Sequence, residues 1–509
     1  MMYSLKSLAV VLALALCAFA LARPLCLQFM EPDDFARRRK VWVVLTTAAF
    51  LAPSLWWFAA VALPLLFWAG RADRHPTALY ALVLVTVPPV SVPIPMPFVN
   101  QLFELSPSRI LALSLLLPAA RQLLLQGVDN RRSIAKADLT VLAFGALQIA
   151  LYFPYESITN TMRRTLMYGL DTYLLYYVFS RGTTQVRAMH DTLASLCVAG
   201  FVLVPVIVVE ASKGWLLYNE IPGTWGAYDL GVAYLFREGV LRAQGPAGHS
   251  LVMGLFFAMA FGLWLYLGNL VTRRHLLIGG ILFWVGLIAT SSRAPWLVGG
   301  LVFATFMLLS PAGRRNFAPV VAALPVALAA LAVTPVGERI FALLPFIGTK
   351  EQANVDYRQQ VAEVCWRLIK QNPLLGDVFA ARYMEELRQG QGIIDLVNTY
   401  ASVGVFNGLI GLTLFVGGFV YPLFRTVIAT ERSRKIDESA CSLGAALSAC
   451  LIGILLMMAT SSFGAAFEQV SWLFAGLCSA YPALVANATL RPAMSVLRPL
   501  GGADSAARA

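Results

Sequence analysis

Charged residues are scarce in this sequence. Only 13% of the 509 residues are Asp, Glu, Lys or Arg, and 59% are hydrophobic, whereas a soluble domain carries about 25% charged residues. The composition therefore excludes an ordinary soluble domain and predicts a polytopic membrane protein. The net charge of +12 comes largely from Lys and Arg in short links between apolar runs, so we expect no nucleic-acid partner.

The sequence also lacks the common motifs of nucleotide and metal sites. It contains no Gly-x-x-x-x-Gly-Lys-Ser/Thr phosphate loop, no His-Glu-x-x-His and no Cys-x-x-Cys pair, so ATP-driven transport and a zinc site have no support. The seven cysteines are scattered and most lie in apolar runs, which predicts buried thiols and no disulfide framework. We expect no cofactor and no metal.

Apolar runs dominate what remains. A membrane helix needs about 20 such residues, and breaks at Pro, Gly and charge clusters predict an all-α protein with about 12–14 transmembrane helices. The run at 41–69 contains Pro53 and Pro64, so it is either one kinked helix or a re-entrant pair. The first run resembles a signal peptide, but we interpret it as a span. The fourteen candidate spans lie near 4–22, 41–69, 78–96, 108–126, 138–154, 163–180, 190–210, 250–270, 274–291, 294–309, 317–334, 399–428, 441–461 and 466–488.

The positions of Lys and Arg beside short loops predict the orientation. The cationic links that alternate on one side, predicted to be cytoplasmic, contain Arg71 and Arg74, Arg131, Arg132 and Lys136, Arg181 and Arg187, Arg273 and Arg274, Arg314 and Arg315, and Arg432, Arg434 and Lys435. The same count places the cluster at 37–40 on the outer side, as an exception to the rule. Two long links, at 211–249 and 335–398, also fall outside.

This reading divides the chain into four parts. Residues 1–334 form an N-terminal bundle of about 11 spans that includes the outer loop 211–249. Residues 335–398 form a periplasmic loop with amphipathic helices. Residues 399–490 form the C-terminal transmembrane helices, and residues 491–509 form a cytoplasmic tail.

The loop 335–398 has a helical pattern. Val361, Val364, Cys365 and Leu368 share one helical face, and Asp356 is placed to cap the start of an amphipathic helix that lies on the membrane. A second helical stretch is predicted near 377–389. The pattern leaves open whether this loop is a lid over a lipid-linked substrate or a plain surface helix.

Two arginines stand out from the solvated loop charges. Arg293 lies between two apolar runs with almost no loop around it, where a cation is costly unless it snorkels to the interface or meets an anion. Arg242 lies in a Gly- and Pro-rich segment that leads into a span, and such a segment can present backbone N–H groups and a guanidinium to a phosphate. An ordinary capped loop is the alternative for Arg242.

The order of several short motifs resembles the O-antigen ligase and Wzy-type polysaccharide polymerase superfamily. The resemblance covers roughly residues 240–420. Its motifs are Arg242-Ala-x-Gly-Pro-x-x-His249, Thr290-x-Ser-Arg293, Asp356-x-Arg358, Asn372-Pro-Leu-Leu-Gly376, Asn398-x-Tyr400 and Gly404-Val-x-x-Gly408-Leu-Ile-Gly411.

The resemblance implies a GT-C-like, metal-independent glycosyltransferase of the bacterial inner membrane. It would take a glycan from undecaprenyl diphosphate at the periplasmic face, and its two family arginines match Arg242 and Arg293. Chain-length regulator and export proteins are the further partners that it suggests, beside the lipid bilayer. Asn398 and Tyr400 are implied as substrate-binding residues.

One position departs from the family. Ligases carry a His-Asn pair where this chain has Val397-Asn398, which favours polymerisation over ligation. His249 or Asp395 is the candidate base, or none is required. A polymerase must also hold a second carrier lipid, and its diphosphate could rest on Arg358, Arg367 or Lys370.

We therefore predict a polysaccharide polymerase that joins glycans to a lipid-linked repeat unit. An O-antigen ligase is the first alternative. A lipid-linked oligosaccharide flippase is the second, but a transporter should carry ionisable residues deep in its spans and show two related halves, and neither feature is evident in the sequence.

Overall fold

The computed structural model describes residues 2–94, 103–126, 132–226, 234–237, 239–311, 313–316, 352–388, 392–435, 437–462 and 464–489, with single positions between 319 and 334. Within these residues the strands form two hairpins of two-residue strands, β1 (Val92–Pro93) with β2 (Glu104–Leu105) and β3 (Phe236–Arg237) with β4 (Val240–Leu241). Nearly everything else is helical. The predicted all-α polytopic membrane fold is confirmed.

Most of the helices follow each other with short connections, as is usual in compact folds. In chain order they are α1 (Met2–Cys26), α2 (Pro32–Leu51), α3 (Leu55–Ala72), α4 (Pro76–Val83), α5 (Pro107–Leu111), α6 (Leu117–Leu125), α7 (Arg132–Tyr152), α8 (Ile158–Tyr168), α9 (Leu174–Gly182), α10 (Val186–Lys213), α11 (Glu220–Thr224), α12 (Ser250–Leu267), α13 (Arg273–Ala289), α14 (Arg293–Leu309), α15 (Gln352–Gln371), α16 (Thr399–Ser433), α17 (Glu438–Met458) and α18 (Ala465–Thr489). Single π-helical turns, Ala112–Leu116 and Gly169–Tyr173, join α5 to α6 and α8 to α9.

Nine helices in the described part of the chain are long and apolar enough to cross a membrane. Helices α10, α12, α17 and α18 form the most deeply buried part of the bundle, while α1, α3 and α7 expose much of their surface. The run at 41–69 proves to be parts of two separate helices, α2 and α3, which meet at Pro53. The predicted span 317–334 lies almost entirely outside the described residues.

Contacts between helix ends define two ends of the bundle. At the Arg38 end, the start of α2 meets the start of α10, where Arg38 binds Asp191. At the opposite end, named the Arg293 end, the loop after α10 meets the start of α1 and the end of α2. Lys6 lies over the Trp215 ring at 5.3 Å, and the Trp225 indole N–H donates to the Ala52 carbonyl at 3.1 Å.

The cationic links gather at the Arg38 end, as the alternation predicts. Arg74 pairs with Glu31 at 2.7 Å, just before α2 begins, and Arg315 pairs with Glu438 at 3.2 Å, where α17 begins. The side of the membrane on which this end lies remains a prediction from the charge rule.

The placement of the cluster at 37–40 on the side opposite the other cationic links is wrong. Arg38 is 1% exposed and donates to both Asp73 oxygens at 2.6 and 2.8 Å, to Asp191 at 2.7 Å and to Ser195 at 3.1 Å. Because Asp73 follows α3 and Asp191 lies in the first turns of α10, the cluster lies at the Arg38 end with the other cationic links. The break at Pro53 adds the crossing that the sequence count omitted.

The predicted span 78–96 is also wrong as a continuous helix. Helix α4 has only eight residues, and the chain continues without helical structure through Pro88 and Pro89 until it contacts Gly248 at the Arg293 end. Residues 78–86 are buried throughout, and irregular backbone is tolerated at such a depth when protein surrounds it. Proline removes the N–H donors that a longer helix would need.

The long loop folds back on the bundle. The predicted apolar face of α15 is buried, with Val361, Val364 and Cys365 each at most 4% exposed. This face packs against the rest of the loop and the start of α16, not against a membrane surface. Asp356 lies inside α15 and does not cap it, since the helix already includes Gln352.

The second predicted helix of this loop is replaced by two 3-10 turns, Ala380–Tyr383 and Glu385–Leu387. The Asp377 carboxylate accepts the Phe379 N–H at 2.8 Å. A side chain that bonds to the nearby backbone in this way competes with the α-helical pattern.

The Arg38 network yields a stability prediction. Arg38→Met should destabilise the protein by about 3–5 kcal/mol, because it leaves the buried Asp73 and Asp191 carboxylates without their cation. Thermal unfolding in detergent measures the effect. Lys40→Met, an exposed cation in the same cluster, is the matched control and should shift the midpoint little. Equal midpoints for the two variants would show that the network contributes nothing.

Candidate functional site

The turn at 290–293 joins α13 to α14 and places Arg293 at the first position of α14. Helix α12 approaches it closely, because a Cβ atom at Gly254 would lie 2.7 Å from the Pro295 Cβ. Ser291 has a φ of +48°, a conformation that costs a non-glycine residue free energy and often marks a functional site. The turn is therefore held in a strained shape by its surroundings.

Two further arginines reach this turn from the β3–β4 hairpin. Arg242 donates to the Ser292 hydroxyl at 3.2 Å, and Arg237 donates to the Ser291 carbonyl at 3.2 Å. The predicted pair of Arg242 and Arg293 is thus brought to neighbouring positions. Arg237, which the sequence analysis left among solvated loop charges, lies with them. Three cations on one turn form an obvious binding place for an anion.

Glu210 fixes the backbone that carries Arg242. Its carboxylate is fully buried at the end of α10 and accepts N–H bonds from Leu217 at 2.9 Å, Gln244 at 3.0 Å and Gly245 at 2.9 Å. A buried carboxylate that binds several backbone N–H groups holds a loop rigidly. Glu210 was not among the predicted site residues, although a single acidic residue at the end of an apolar run is a signal that can be read from the sequence.

His249 ends the same segment and caps α12. Its Nδ1 accepts the Leu251 N–H at 3.2 Å, so a proton carried by the neutral ring stands on Nε2. Desolvation and the nearby charge of Arg242 lower the pKa of His249, and Asp395 opposes this shift. The carboxylate charge of Asp395 therefore acts on the His249 ring.

Asp395 is held beside the ends of α15 and α17. It accepts a hydrogen bond from the Ser462 hydroxyl and the Val397 N–H at 3.0 Å, and its carbonyl accepts from the Tyr357 hydroxyl at 2.8 Å. Val397 has a φ of +46°, which is unusual for a β-branched residue. Among the described residues, Ser291 and Val397 are the only non-glycine positions with positive φ, and both lie in this region.

A cavity of about 290 Å³, named the Val397 cavity, lies between α15 and the first turn of α16. Arg358 and Asn398 line it, together with Val397. Arg358 donates to the Thr460 carbonyl at 3.3 Å, and the Asn398 side chain accepts the Ala401 N–H at 3.1 Å as the cap of α16. Both predicted substrate-binding residues therefore face a common space.

The remaining predicted substrate-binding residues lie elsewhere. Arg367 forms an exposed pair with Glu386 at 2.5 Å, and Lys370 lies 5.2 Å from the centre of the exposed Trp366 ring. The Tyr400 hydroxyl donates to the Leu455 carbonyl at 2.8 Å and so joins α16 to α17. The structure does not bring Arg358, Arg367 and Lys370 together, because Arg367 lies on the opposite face of α15 from Arg358.

A backbone lock attaches the loop to α16, with the 373–377 turn inserted at Gly408. The Leu409 N–H donates to the Pro373 carbonyl at 2.8 Å, the Ile410 N–H to the Leu374 carbonyl at 3.2 Å, and the Asp377 N–H to the Val405 carbonyl at 2.9 Å. These bonds replace the helical ones that α16 loses where it kinks.

Glycine is required on both sides of this lock. Gly376 and Gly408 have φ values of +70° and +65°, and a Cβ atom at Gly408 would lie 2.2 Å from the Leu374 oxygen. Two motifs that the sequence shows separately thus form one contact.

Carboxylates that could hold a metal ion occur away from this region. Among the described residues, Asp34, Asp73 and Asp191 form the one group whose carboxylate oxygens lie close enough to one another to hold a metal ion together. It lies at the Arg38 end, where Arg38 already binds two of its members.

Residues 278–416 match the family model described as O-antigen ligase. The match supports the O-antigen ligase-like family for this region. The region contains Arg293, the long loop and the lock at Gly408, whereas Arg242 and His249 precede it. The family relation supports a glycosyltransferase-type ligase or polymerase, and the apolar helices identify a multi-pass membrane protein. No curated protein matches the chain.

The lock gives a direct test of the site's framework. Gly408→Ala should lower stability by more than about 1 kcal/mol, because alanine is strained at positive φ, and its Cβ collides with the loop backbone. Gly417→Ala in the same helix is the matched control, since a Cβ there would make ordinary contact at 3.7 Å with Thr140. The thermal unfolding midpoints of the two variants are measured in detergent and compared. An unchanged Gly408→Ala protein would contradict the lock.

Proposed function

We propose that this protein is a polysaccharide polymerase. It transfers a glycan from undecaprenyl diphosphate to a lipid-linked repeat unit at the periplasmic face of a bacterial inner membrane. The observation that carries the proposal is the convergence of Arg237 and Arg242 on the strained turn that ends at Arg293, within a chain whose residues 278–416 are O-antigen ligase-like.

The chemistry follows from these cations. As the bond between the anomeric carbon and the diphosphate breaks, negative charge develops on the leaving oxygen. Guanidinium groups fixed in place stabilise that charge and reorganise little during the reaction. This role requires no metal ion, so we propose a metal-independent transferase with no cofactor.

Asp395 is the better candidate for the base that receives the proton of the acceptor hydroxyl. The lone pair that His249 would need lies on Nδ1, which already accepts the Leu251 N–H. One Asp395 oxygen takes the bonds from Ser462 and Val397, and the carboxylate has further lone pairs for a proton. His249 then positions the start of α12 beside Arg242.

The acceptor enters through the Val397 cavity in this proposal. Arg358 lines the cavity and supplies a cation for the carrier diphosphate of the second lipid. Val397 stands where the ligases that the sequence resembles have histidine, and this favours polymerisation. An O-antigen ligase is the second candidate function, because the matching family model carries that description.

The proposed diphosphate clamp, formed by Arg237, Arg242 and Arg293, is tested by Arg293→Lys. A point charge cannot reproduce the planar fork of a guanidinium, so transfer should fall by about 100- to 1,000-fold, the usual effect of removing one stabilising donor. Arg315→Lys, which keeps a cation in an exposed pair at the Arg38 end, is the control and should retain activity. Glycan synthesis at the normal level by both Arg242→Ala and Arg293→Ala proteins would remove the clamp hypothesis.

A deletion strain separates the two candidate functions. Loss of a polymerase should leave single repeat units on the carrier lipid, because nothing joins them. Mass spectrometry of extracted lipid-linked glycans gives the product directly. Long polymer that remains attached to the carrier lipid would show instead that the missing enzyme was a ligase.

A further inference from the structure

A second and larger cavity lies on the other side of α16. It has a volume of about 610 Å³ and is enclosed by α7, α8, the start of α18 and the first turns of α16. We name it the Arg109 cavity. Ala401 and Asn398 line the Val397 cavity, whereas Ser402 and Phe406 line the Arg109 cavity. The N-terminal turns of α16 therefore separate the two spaces.

Ionisable groups line the Arg109 cavity, and Arg109 itself is buried. Arg109 donates to Asp171 at 2.7 and 3.0 Å, and Glu468 accepts from Thr172 at 2.7 Å. Arg164 pairs with Glu156 at 2.5 Å.

The charges of this lining balance. Arg109, Arg163 and Arg164 supply three positive charges, and Glu156, Asp171 and Glu468 supply three negative ones. A diphosphate would gain little electrostatic attraction from a lining with no net formal charge. The contrast with the three cations at the 290–293 turn indicates a ligand that is polar but uncharged.

The side-chain amide of Asn407 points to a polar ligand in the Arg109 cavity. It is 3% exposed, it lines the cavity, and among the described residues its Nδ2 has no hydrogen-bond partner. Trp472 is another lining residue, and its buried indole N–H likewise has no hydrogen-bond partner among the described residues. Buried donors without acceptors are rare in proteins, because each one loses its hydration without compensation.

Aromatic rings complete the lining. They are Phe144, Tyr152, Tyr168, Phe406, Phe415 and Trp472. The C–H faces of sugar rings pack on aromatic rings, while sugar hydroxyls donate to carboxylates and accept from amides, guanidiniums and indoles. The volume is also within the range of small-molecule sites. Neither a lipid tail nor a diphosphate matches this combination.

We propose that the Arg109 cavity is a saccharide-binding site that holds uncharged sugar units of a glycan, separated from the Val397 cavity by the first turns of α16. The inference rests on the proposed function for the identity of the glycan, but not for the binding itself. Asn407 donates to a sugar hydroxyl, and the carboxylate of Glu468 accepts from another.

The test is a binding titration on the full-length protein in detergent. The probe is an oligosaccharide fraction from mild acid hydrolysis of the cell-surface polysaccharide of the source organism, and calorimetry gives its Kd. Asn407→Leu should raise the Kd by about fivefold to tenfold, the effect of one lost hydrogen bond. The same substitution should raise the unfolding midpoint, because it removes a buried donor without a partner.

Three further variants complete the comparison. Glu468→Gln keeps the acceptor for Thr172 and should also weaken binding. Asn269→Leu, in the turn that follows α12, is the control for the substitution and should leave the Kd unchanged. Arg293→Lys should lose transfer yet bind the saccharide normally, which separates this inference from the proposed function. Absence of binding by the unaltered protein, or an unchanged Kd for Asn407→Leu and Glu468→Gln, would overturn the saccharide site.

Discussion

Three backbone hydrogen bonds hold the long loop to α16 at the kink around Gly408. The geometry of the candidate site depends on this contact, because it fixes both sides of the Val397 cavity. Helix α15 reaches its place through the inserted turn, and the start of α16 carries Asn398 just after the strained Val397. Since two glycines with positive φ meet there, no other residue type fits either position without strain.

The sequence predicted those parts of the structure that follow from local pattern. The apolar face of α15 is buried as its spacing indicates. The errors arose where the pattern was ambiguous. Pro53 divides what looked like one apolar run, and this missing break put Arg38 at the wrong end. Pro88 and Pro89 end α4 early, although the segment is as apolar as a span.

Other features could not be predicted because they depend on contacts between distant segments. Glu210 binds backbone groups more than 30 residues away, and no local rule indicates which loop it holds. Arg109 and Asp171 are 62 residues apart, and no local pattern predicts that they form an ion pair. The strained φ values of Ser291 and Val397 likewise arise from the packing around them and not from their own preferences.

Positive charge is concentrated at the 290–293 turn, whereas the formal charges that line the Arg109 cavity balance. The turn, with Arg237, Arg242 and Arg293, is proposed to bind a diphosphate, and the Arg109 cavity is proposed to bind sugar units. The claim that guanidinium groups stabilise the leaving diphosphate without a metal ion is tested by a transfer assay with purified protein in liposomes, given a lipid-linked repeat unit and excess EDTA. We expect a ladder of lengthened glycans on the carrier lipid, since guanidiniums supply the positive charge. No lengthened product in EDTA, with recovery on addition of Mg²⁺ or Mn²⁺, would contradict this claim.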